Sequence, residues 1–246
     1  MQQQVEFDKK ILLILEGNIG AGKSTFLRIL ENNLDVDIIF EPTDKWQNVG
    51  PSGNLLDLFY KDTKRWAYTF QSYAFITRVE SVLEHQSKSI DKKVQILERS
   101  VYCDRYCFAK NCFEMGNMSA MEWQIYKEWF SWLVEGYMQK PHGFIYLRTS
   151  PAVCEKRLRK RDRSEEAGVP LSYLQRLHEK HDDWLVHRKE IVDYLTNLPV
   201  LTLDCDPDFE SDLNKKKEHV NKVREFINSV GKRGVEESSK PAQIQL

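Results

Sequence analysis

The sequence predicts an α/β fold in which a five-stranded parallel sheet carries helices on both faces. Five short apolar runs alternate along the chain with longer segments of helical character. Buried parallel strands have this continuous apolar character, and the chain between them is usually helical. A glycine-rich loop follows the first apolar run and leads into a helical segment, which is a strand-loop-helix order typical of such folds.

The predicted strands are short and rich in branched apolar residues. They cover residues 11–15, 36–40, 94–97, 144–147 and 200–203. None approaches the roughly 18 apolar residues that a membrane span requires, so we expect no membrane segment.

The predicted helices fill the intervals between the strands. They cover residues 23–34, 64–87, 119–138, 152–163, 171–194 and 209–229. Ser119, with Glu122 three positions later, has the pattern of a capping box, and Ser150 before Pro151 has the pattern of an N-cap.

The bulk composition narrows the class of protein. Lys and Arg number 36 and Asp and Glu 37, so no global field attracts the chain to nucleic acid or to an anionic membrane. The N-terminal residues resemble neither a secretory signal nor a transit segment, so we expect a cytoplasmic protein, with a mitochondrial or nuclear location left open.

We expect one domain over residues 1–230 and a disordered tail over 231–246, which is polar and poor in large apolar groups.

The five cysteines are odd in number and lack a zinc-binding spacing, so we expect reduced thiols. They are Cys103, Cys107, Cys112, Cys154 and Cys205. The first three fall on a further predicted helix, after the third predicted strand, where small buried side chains are a simpler interpretation than metal ligands.

The glycine-rich loop matches the pattern GxxxxGK[ST] in the strand-to-helix context that this pattern requires. Its glycines let backbone amides point inward, and the N-terminus of the following helix adds positive charge, so the loop is suited to bind phosphates. We expect Lys23 to bridge the outer phosphates of a nucleotide and Ser24 to bind Mg²⁺. The loop comprises Gly17, Asn18, Ile19, Gly20, Ala21, Gly22, Lys23, Ser24 and Thr25. It does not define the reaction, because ATPases, GTPases and small-molecule kinases share it.

Charged residues end the second and third predicted strands, at the sheet edge where open α/β folds bind ligands. A carboxylate such as Glu41 is suited to take a proton from an alcohol acceptor, whereas a phosphate acceptor needs no base. Glu98 and Arg99 are the residue types required beside Mg²⁺ and a transferring phosphoryl group. The alternatives are a solvated Glu41 and a surface ion pair for the other two.

Four arginines lie in the segment RLRKRDR after the fourth predicted strand, and three of them fall near one another on a helix or at its end. Arg157, Arg161 and Arg163 are suited to close over nucleotide phosphates as a lid, with a solvated basic helix face as the alternative. Acidic residues follow immediately, which disfavours nucleic-acid binding.

Several ordered motifs resemble the deoxynucleoside kinase family, which includes deoxycytidine, deoxyguanosine and mitochondrial thymidine kinases and an insect multisubstrate enzyme. The motifs are GNIGAGKST, EPTDKW, RWAYTFQSYA, ERSVYCDRY and RSEEAGVPLSYLQRLHEKHDDWL, and the resemblance covers about residues 10–229. It implies a P-loop kinase fold, a homodimer, and Mg²⁺-dependent transfer of the γ-phosphate of ATP, or of another nucleoside triphosphate, to the 5′-hydroxyl of a deoxynucleoside. The partners it implies are these small molecules, with no nucleic acid and no membrane.

The resemblance also implies roles at the transferring phosphoryl group. Glu41 would take the proton from the 5′-hydroxyl, and Arg99 would lie beside that hydroxyl and the phosphoryl group. Ser24 and Glu98 would share the magnesium ion.

Further roles implied by the resemblance concern the sugar, the two bases and the lid. Tyr60 and Glu166 would bind the sugar 3′-hydroxyl, and Gln71 would pair with the edge of the substrate base. The rings expected around that base are Trp46, Phe70 and Phe108. The family's lid corresponds to Arg157, Arg161 and Arg163, and its loop around the donor base corresponds to Asp208 and Phe209.

Two features disagree about the substrate base. Arg78 and Asp104 occupy the space that a thymine methyl would need and offer polar partners to cytosine or purines, as in the deoxycytidine and deoxyguanosine kinases. The short connection QNVGPS after Trp46 and the text YLRTSP resemble the thymidine-preferring and insect members instead. Because groups that contact the base decide selectivity, we predict deoxycytidine and purine deoxynucleosides above thymidine. The alternative is a thymidine-preferring or broad multisubstrate kinase.

Two other classes remain as alternatives. A thymidylate-type nucleoside monophosphate kinase has the same loop and a DRY triplet, but Glu41 and the ERS triplet argue against it. A non-catalytic nucleotide-binding protein would use the helix MEWQIYKEWFSWLVEGY as its partner surface. In that helix an aromatic stripe recurs at helical spacing, for which core packing and a homodimer interface are the other interpretations. The stripe consists of Trp123, Tyr126, Phe130 and Leu133.

Overall fold

The computed structural model describes residues 10–86 and 91–238 and contains the predicted five-stranded sheet, in which every pairing is parallel. The strands are β1 (Ile11–Gly17), β2 (Asp37–Ile39), β3 (Val94–Glu98), β4 (Gly143–Arg148) and β5 (Val200–Asp204). Their spatial order is β2-β3-β1-β4-β5, so β1 lies at the centre. The predicted fold class is confirmed.

Eleven α-helices are present among the described residues. They are α1 (Lys23–Asn33), α2 (Thr43–Gln47), α3 (Leu55–Lys61), α4 (Thr63–Gln86), α5 (Val101–Cys103), α6 (Lys110–Glu114), α7 (Ala120–Tyr137), α8 (Pro151–Arg161), α9 (Leu171–Leu185), α10 (Asp193–Thr196) and α11 (Leu213–Ser238). A π-helical segment, Asp104–Ala109, joins α5 to α6, and 3₁₀ turns lie at Gly50–Ser52 and Ser164–Glu166.

Side chains of β1 alternate between two apolar cores, one on each face of the sheet. Leu12 and Ile14 pack with residues of α4 and α7, and Leu13 and Leu15 pack with residues of α1, α8 and α11. Because successive side chains of a strand point to opposite faces, a strand that is apolar throughout requires this double cover.

The strand order reverses around β1, since β3 lies on one side of it and β4 on the other. In open α/β sheets such a reversal opens a crevice at the carboxyl ends of the strands. The phosphate loop leaves from the end of β1, and Glu41, Glu98 and Arg99 lie at or just beyond the ends of β2 and β3. The predicted active edge of the sheet is therefore where these residues meet.

Both predicted helix starts are present, with one difference in detail. Ser119 and Glu122 form the reciprocal hydrogen bonds of a capping box at α7. α8 begins at Pro151 after Ser150, but the Ser150 side chain makes no cap hydrogen bond. Instead, the backbone N–H of Ser150 donates to Asp206 Oδ1 at 2.6 Å.

Three predicted boundaries were wrong. The helix predicted over 171–194 ends at Leu185, and Arg188 and Glu190 adopt φ angles of 57° and 51°, which no helix contains. The helix predicted from residue 209 begins at Leu213, because Phe209 is buried in the preceding loop. α11 continues to Ser238, so residues 231–238 of the predicted disordered tail are helical, and 239–246 lie outside the described residues.

Within the described part of the chain, no helix combines the length and the apolar character needed to cross a bilayer. The cytoplasmic location stays a prediction.

Candidate active site

A cleft of about 870 Å³ opens at the carboxyl edge of the sheet and contains the predicted catalytic groups. Its walls come from the phosphate loop, from α2 to α4, from the end of β3 and the π-helical segment, and from α8, α9 and the loop after β5. A volume of this size is ordinary for a small-molecule site.

The phosphate loop owes its shape to two glycines with positive φ. Gly20 and Gly22 have φ angles of 78° and 90°, which side chains of L-residues rarely allow. A Cβ atom at Gly20 would lie 2.4 Å from the carbonyl oxygen of Cys154, and one at Gly22 would lie 2.8 Å from Cζ of Phe209. The loop therefore requires glycine at both positions, because there is neither torsional freedom nor space for a side chain.

Hydrogen bonds with two helices fix the loop in place. Asn18 Nδ2 donates to the carbonyl oxygen of Leu174 in α9 at 2.8 Å, and Asn18 Oδ1 accepts from the backbone N–H of Ile19. Arg157 Nη1 in α8 donates to the carbonyl oxygen of Ala21 at 3.4 Å. The loop is thus held between the central strand and α8 and α9.

Lys23 is buried at the start of α1, and its Nζ donates to the carbonyl oxygens of Gly17 and Asn18 at 3.2 and 2.9 Å. Burial lowers the pKa of this ammonium group, and the nearby Arg99 lowers it further, to about 8. Bound phosphates would add negative charge beside Lys23 and raise the pKa of its ammonium group.

Ser24 and Glu98 lie side by side, as predicted for a shared metal site. Ser24 Oγ donates to Glu98 Oε1 at 2.7 Å, and Glu98 Oε2 accepts from the backbone N–H of Glu41 at 3.4 Å. Hydroxyl and carboxylate oxygens are ligands that Mg²⁺ prefers, so the residues present fit this ion.

Glu41 is held by two arginines. Its Oε1 accepts from Arg78 Nη2 at 2.6 Å and lies 3.3 Å from Arg99 Nε. Burial alone would raise the pKa of the Glu41 carboxyl, but Arg78, Arg99 and Lys23 outweigh it and lower the pKa to about 2. Glu41 is therefore a carboxylate at every physiological pH.

Arg99 has an uncommon backbone conformation. Its φ angle is 62°, in the left-handed region that costs a non-glycine residue about 1–3 kcal/mol. The backbone N–H of Arg99 donates to the carbonyl oxygen of Leu15 at 2.9 Å, which ties the residue to the central strand. This turn aims the guanidinium into the cleft, where it lies over the ring of Phe108 at 4.8 Å.

Arg78 connects Glu41 to Asp104. Its Nε donates to Asp104 Oδ2 at 2.8 Å, and both side chains are buried. Burial disfavours the charged guanidinium, but Asp104 and Glu41 outweigh this effect and raise the pKa of Arg78. Gln71 lines the same cleft two turns earlier on α4, so the predicted shared face of Gln71 and Arg78 is confirmed.

Three rings line the cleft beside these polar groups. Trp46 meets Phe70 edge to face at 5.5 Å between ring centroids, and its indole N–H donates to Thr77 Oγ1 at 2.9 Å. Phe108 lies beneath Arg99, as described above. The rings predicted to surround the substrate base thus share one cleft with the residues predicted to contact the edge of that base.

The segment after α8 turns back into the cleft. Arg161 and Arg163 both form ion pairs with the buried carboxylate of Glu166, the Arg163 pair at 3.0 Å. Tyr60 also lines the cleft, where burial and then the charge of Glu166 raise the pKa of its phenol. Glu165 anchors the segment by accepting from Asn54 at 2.6 Å and from Gln47 at 2.7 Å.

The loop after β5 reaches the phosphate loop. Asp208 Oδ1 accepts from the backbone N–H groups of Glu210 and Ser211, which caps a turn. The ring of Phe209 is buried against Phe26 at 5.5 Å and against Gly22, so it supports the phosphate loop from below.

The sequence of the chain matches that of one known family. The family profile described as deoxynucleoside kinase matches residues 13–228, which is most of the chain. The chain belongs to the deoxynucleoside kinase family. It is therefore a kinase, and the alternative of a non-catalytic nucleotide-binding protein is not supported.

Several deoxynucleoside kinases are similar to the chain over most of its length. Deoxycytidine kinase 2 of Gallus gallus is 42% identical over 246 aligned residues, which cover 91% of this chain and 93% of that protein. Deoxycytidine kinase of Homo sapiens is 40% identical, with 88% of this chain and 90% of that protein covered. The mitochondrial deoxyguanosine kinase of Xenopus laevis is 39% identical, with 87% and 89% covered.

In this deoxynucleoside kinase the cleft contains residues that the sequence did not single out. Tyr173 on α9 lines the cleft, and its buried hydroxyl has no hydrogen-bond partner among the described protein atoms. Arg28, Lys156 and Lys160 add positive charge to the cleft. No spacing distinguishes these residues from ordinary helix-surface residues, so only their position in the fold identifies them.

Proposed function

We propose that this kinase transfers the γ-phosphate of ATP to the 5′-hydroxyl of a deoxynucleoside, for nucleotide salvage, and that Glu41 is the group that receives the hydroxyl proton. The observation that carries this proposal is the pairing of Glu41 with Arg78 and Arg99 beside the phosphate loop. A carboxylate held among cations at this edge suits an alcohol acceptor, whereas a phosphate acceptor would meet the repulsion of Glu41.

The geometry of Glu41 suggests how it handles the hydroxyl. Both ion pairs use Oε1, and no hydrogen bond to Oε2 is formed by the described residues. A 5′-hydroxyl would donate to Oε2 while Arg78 and Arg99 keep the carboxylate in place. A pKa of about 2 makes Glu41 a weak base, which suits a loose transition state in which the proton leaves late.

The phosphate loop and the arginines would bind and orient the donor. Lys23 would hold the outer phosphates, and Arg99 would face the transferring group. The residues of the proposed lid, Arg157, Arg161 and Arg163, would contact the triphosphate. Mg²⁺, held by Ser24 and Glu98, would neutralise phosphoryl charge when bound. We propose Asp208 and Phe209 as the loop nearest the donor base.

The polar pair in the cleft supports a preference for deoxycytidine and purine deoxynucleosides over thymidine. Arg78 and Asp104 are buried and joined at 2.8 Å, so they fill space beside Gln71 and cannot move aside cheaply. A thymine methyl group would remove water from this pair without offering it a hydrogen bond, whereas cytosine and purine edges carry hydrogen-bonding groups. That similar proteins are named deoxycytidine and deoxyguanosine kinases agrees with this preference.

The sugar would lie between Tyr60 and Glu166. Both side chains line the cleft on the side of the lid segment, and burial and then the charge of Glu166 raise the pKa of the Tyr60 phenol. We propose that they bind the 3′-hydroxyl and that the Glu166 pairs with Arg161 and Arg163 couple sugar binding to the position of the lid.

We also propose a homodimer, through a face that differs from the predicted stripe. Tyr126 and Phe130 are buried in the core and Trp123 stacks on Phe113, so the stripe is largely core packing. The exposed rings of α7 are instead Trp129, Trp132 and Tyr137, at 50%, 55% and 48% exposure. Sedimentation at twice the mass of one chain would support this dimer, and a monomer at micromolar concentration would contradict it.

The reaction is tested by an assay for ADP release with and without a deoxynucleoside. We expect ADP to form only when a deoxynucleoside is added, with the phosphate found on the 5′-oxygen of the product by NMR. ADP release in water alone, or a product phosphorylated on an existing phosphate, would contradict the proposal.

Lys23 gives the binding of ATP a characteristic pH dependence. Its pKa in the free protein is about 8, and bound phosphates would raise it, so ATP binding should take up a proton above pH 8. The dissociation constant of ATP should be constant below pH 8 and rise toward about tenfold per pH unit above it. Calorimetry at pH 9 in two buffers of different ionisation enthalpy measures the proton uptake.

Lys23→Arg is the matched control for this dependence, because an arginine stays charged throughout the range. The variant should bind ATP with an affinity that does not change between pH 7.5 and 9. A wild-type affinity that is equally flat would show that Lys23 does not titrate in this window.

A further inference from the structure

A buried cluster behind the cleft has no place in the reaction described so far. It consists of Cys103 at the end of α5, Cys107 in the π-helical segment and His181 on α9, all inaccessible to solvent. The cluster touches the site at Arg99, whose Nη1 lies 3.5 Å from Cys103 Sγ, and at Phe108, whose ring meets that of His181 edge to face at 6.4 Å.

The hydrogen bonds of the cluster form a chain with one direction. Leu177 presents a carbonyl oxygen 2.6 Å from His181 Nδ1, and because a carbonyl can only accept, Nδ1 carries the proton. His181 Nε2 then offers a lone pair to the Cys103 thiol, 3.4 Å away, and the Cys103 sulfur accepts from Arg99 Nη1. Each donor in this series of hydrogen bonds therefore has one acceptor.

The surroundings hold each member of this chain. The imidazole of His181 stacks on the ring of Tyr146, with 6.0 Å between ring centroids and 6° between planes. The backbone N–H of Cys103 donates to Ser100 Oγ, and Ser100 Oγ donates in turn to Glu16 Oε1 at 2.6 Å. Burial raises the pKa of the Cys103 thiol, which keeps its proton available to His181.

A site for a soft metal ion is the alternative interpretation of this cluster. The ligand atoms of Cys103, Cys107 and His181 lie within 4.8 Å of one another. Arg99 argues against a metal, because its cationic guanidinium already donates to Cys103 Sγ and would lie beside the ion. A chain of hydrogen bonds explains the contacts of Arg99, whereas a metal does not.

We propose that Cys103 and His181 are positioning residues that aim the guanidinium of Arg99 at the transferring phosphoryl group. Arg99 needs such support, since its ion-pair partner, Glu41, is shared with Arg78, and the ring of Phe108 beneath it offers no directional hydrogen bond. The inference rests on the proposed role of Arg99 and extends the site to a third layer of residues. Residues that orient metal ligands typically contribute about 10- to 100-fold to activity, and we expect an effect of this size for residues that orient a guanidinium.

The test compares deletion and rescue at both positions. Cys103→Ala and His181→Phe each break the series of hydrogen bonds that ends at Arg99. We expect kcat to fall about 10- to 100-fold in either variant, with the KM for the deoxynucleoside changed by less than about threefold. Cys103→Ser and His181→Gln keep a polar atom and should recover most of kcat. If His181→Phe does not fold, the comparison of Cys103→Ala with Cys103→Ser is sufficient for the test.

A double-mutant cycle with Arg99→Lys separates positioning from mere packing. In the Arg99→Lys background, Cys103→Ala should lower kcat by less than about twofold, because the group that it positions is gone. An equal loss in both backgrounds would overturn the proposal, as would stoichiometric zinc in the purified protein. A wild-type enzyme without deoxynucleoside-dependent turnover would instead refute the proposed function.

Cys205 provides the matched control. It is also a buried thiol beside a histidine, 3.9 Å from His219 Nε2, but no hydrogen bond or ion pair connects it to Arg99 in the described structure. Cys205→Ala should keep the kcat of the wild type, and a loss as large as that of Cys103→Ala would contradict a specific link to Arg99.

Discussion

Glu41→Gln should lower kcat by about 100- to 10,000-fold while leaving the affinity for ATP nearly unchanged. The amide keeps the size of the carboxylate and an oxygen that accepts from Arg78 and Arg99, but it cannot receive the proton of a hydroxyl. Because the Glu41 side chain forms its ion pairs with Arg78 and Arg99, and no hydrogen bond or ion pair joins it to the phosphate loop in the described structure, binding of ATP should survive. Single-turnover kinetics with ATP and a deoxynucleoside measures the chemical step.

Asp44→Asn is a suitable control, because Asp44 is an exposed carboxylate three residues away on α2. It should retain the turnover of the wild type. Near-normal turnover of Glu41→Gln would mean that the acceptor needs no base, and would favour a kinase whose acceptor is a phosphate group.

Arg78→Leu should lower the free energy of unfolding by about 3–5 kcal/mol. The substitution leaves Asp104 buried without the cation that now lies 2.8 Å away, and a buried carboxylate must either remain charged or take up a proton at a cost. Urea unfolding followed by tryptophan fluorescence measures the loss.

Arg78→Leu combined with Asp104→Ala should recover most of this stability, because no charge is then stranded. The same double variant opens space beside Gln71, so the kcat/KM for thymidine relative to deoxycytidine should rise at least about tenfold. A double variant less stable than Arg78→Leu alone, or one with unchanged selectivity, would show that the pair does not control the base site.

The sheet was predictable because the apolar residues of each strand indicate by themselves that the strand is buried. Runs such as ILLIL identify a buried strand without knowledge of its neighbours, and the loop that follows identifies the active edge. The short helices were harder to predict. α2 has five residues and α3 has seven, too few for a helical period to be visible, although Asn54 before α3 is a recognisable N-cap.

The π-helical segment illustrates what local patterns cannot show. Asp104 and Phe108 both line the cleft from this segment, where the helix widens for Asp104–Ala109 and then returns to α-helical geometry in α6. Helical periodicity predicts a helix here but not the widening, which is common near functional sites. The cysteines at 103, 107 and 112 do lie on helical structure, as predicted.

The site residues were predictable one at a time, but their contacts were not. Glu41 and Arg99 were identified as strand-end residues, and Arg78 as a base-pocket residue 37 positions beyond Glu41. Arg78 pairs with Glu41, which would link the proposed base selection to the proposed proton transfer. Only the packing of α4 against the end of β2 brings the two residues together. His181 gave no sequence signal at all, because a histidine on an apolar helix face is usually a core residue.

The central claim is that a phosphoryl group passes to a deoxynucleoside chosen by Gln71, Arg78 and Asp104. The most direct test measures the initial rate at limiting concentrations of all four deoxynucleosides, with saturating ATP and Mg²⁺. We expect deoxycytidine, deoxyadenosine and deoxyguanosine each to exceed thymidine in kcat/KM. Thymidine ranking first would contradict the account of the base site, and no turnover with any of the four would contradict the proposed reaction.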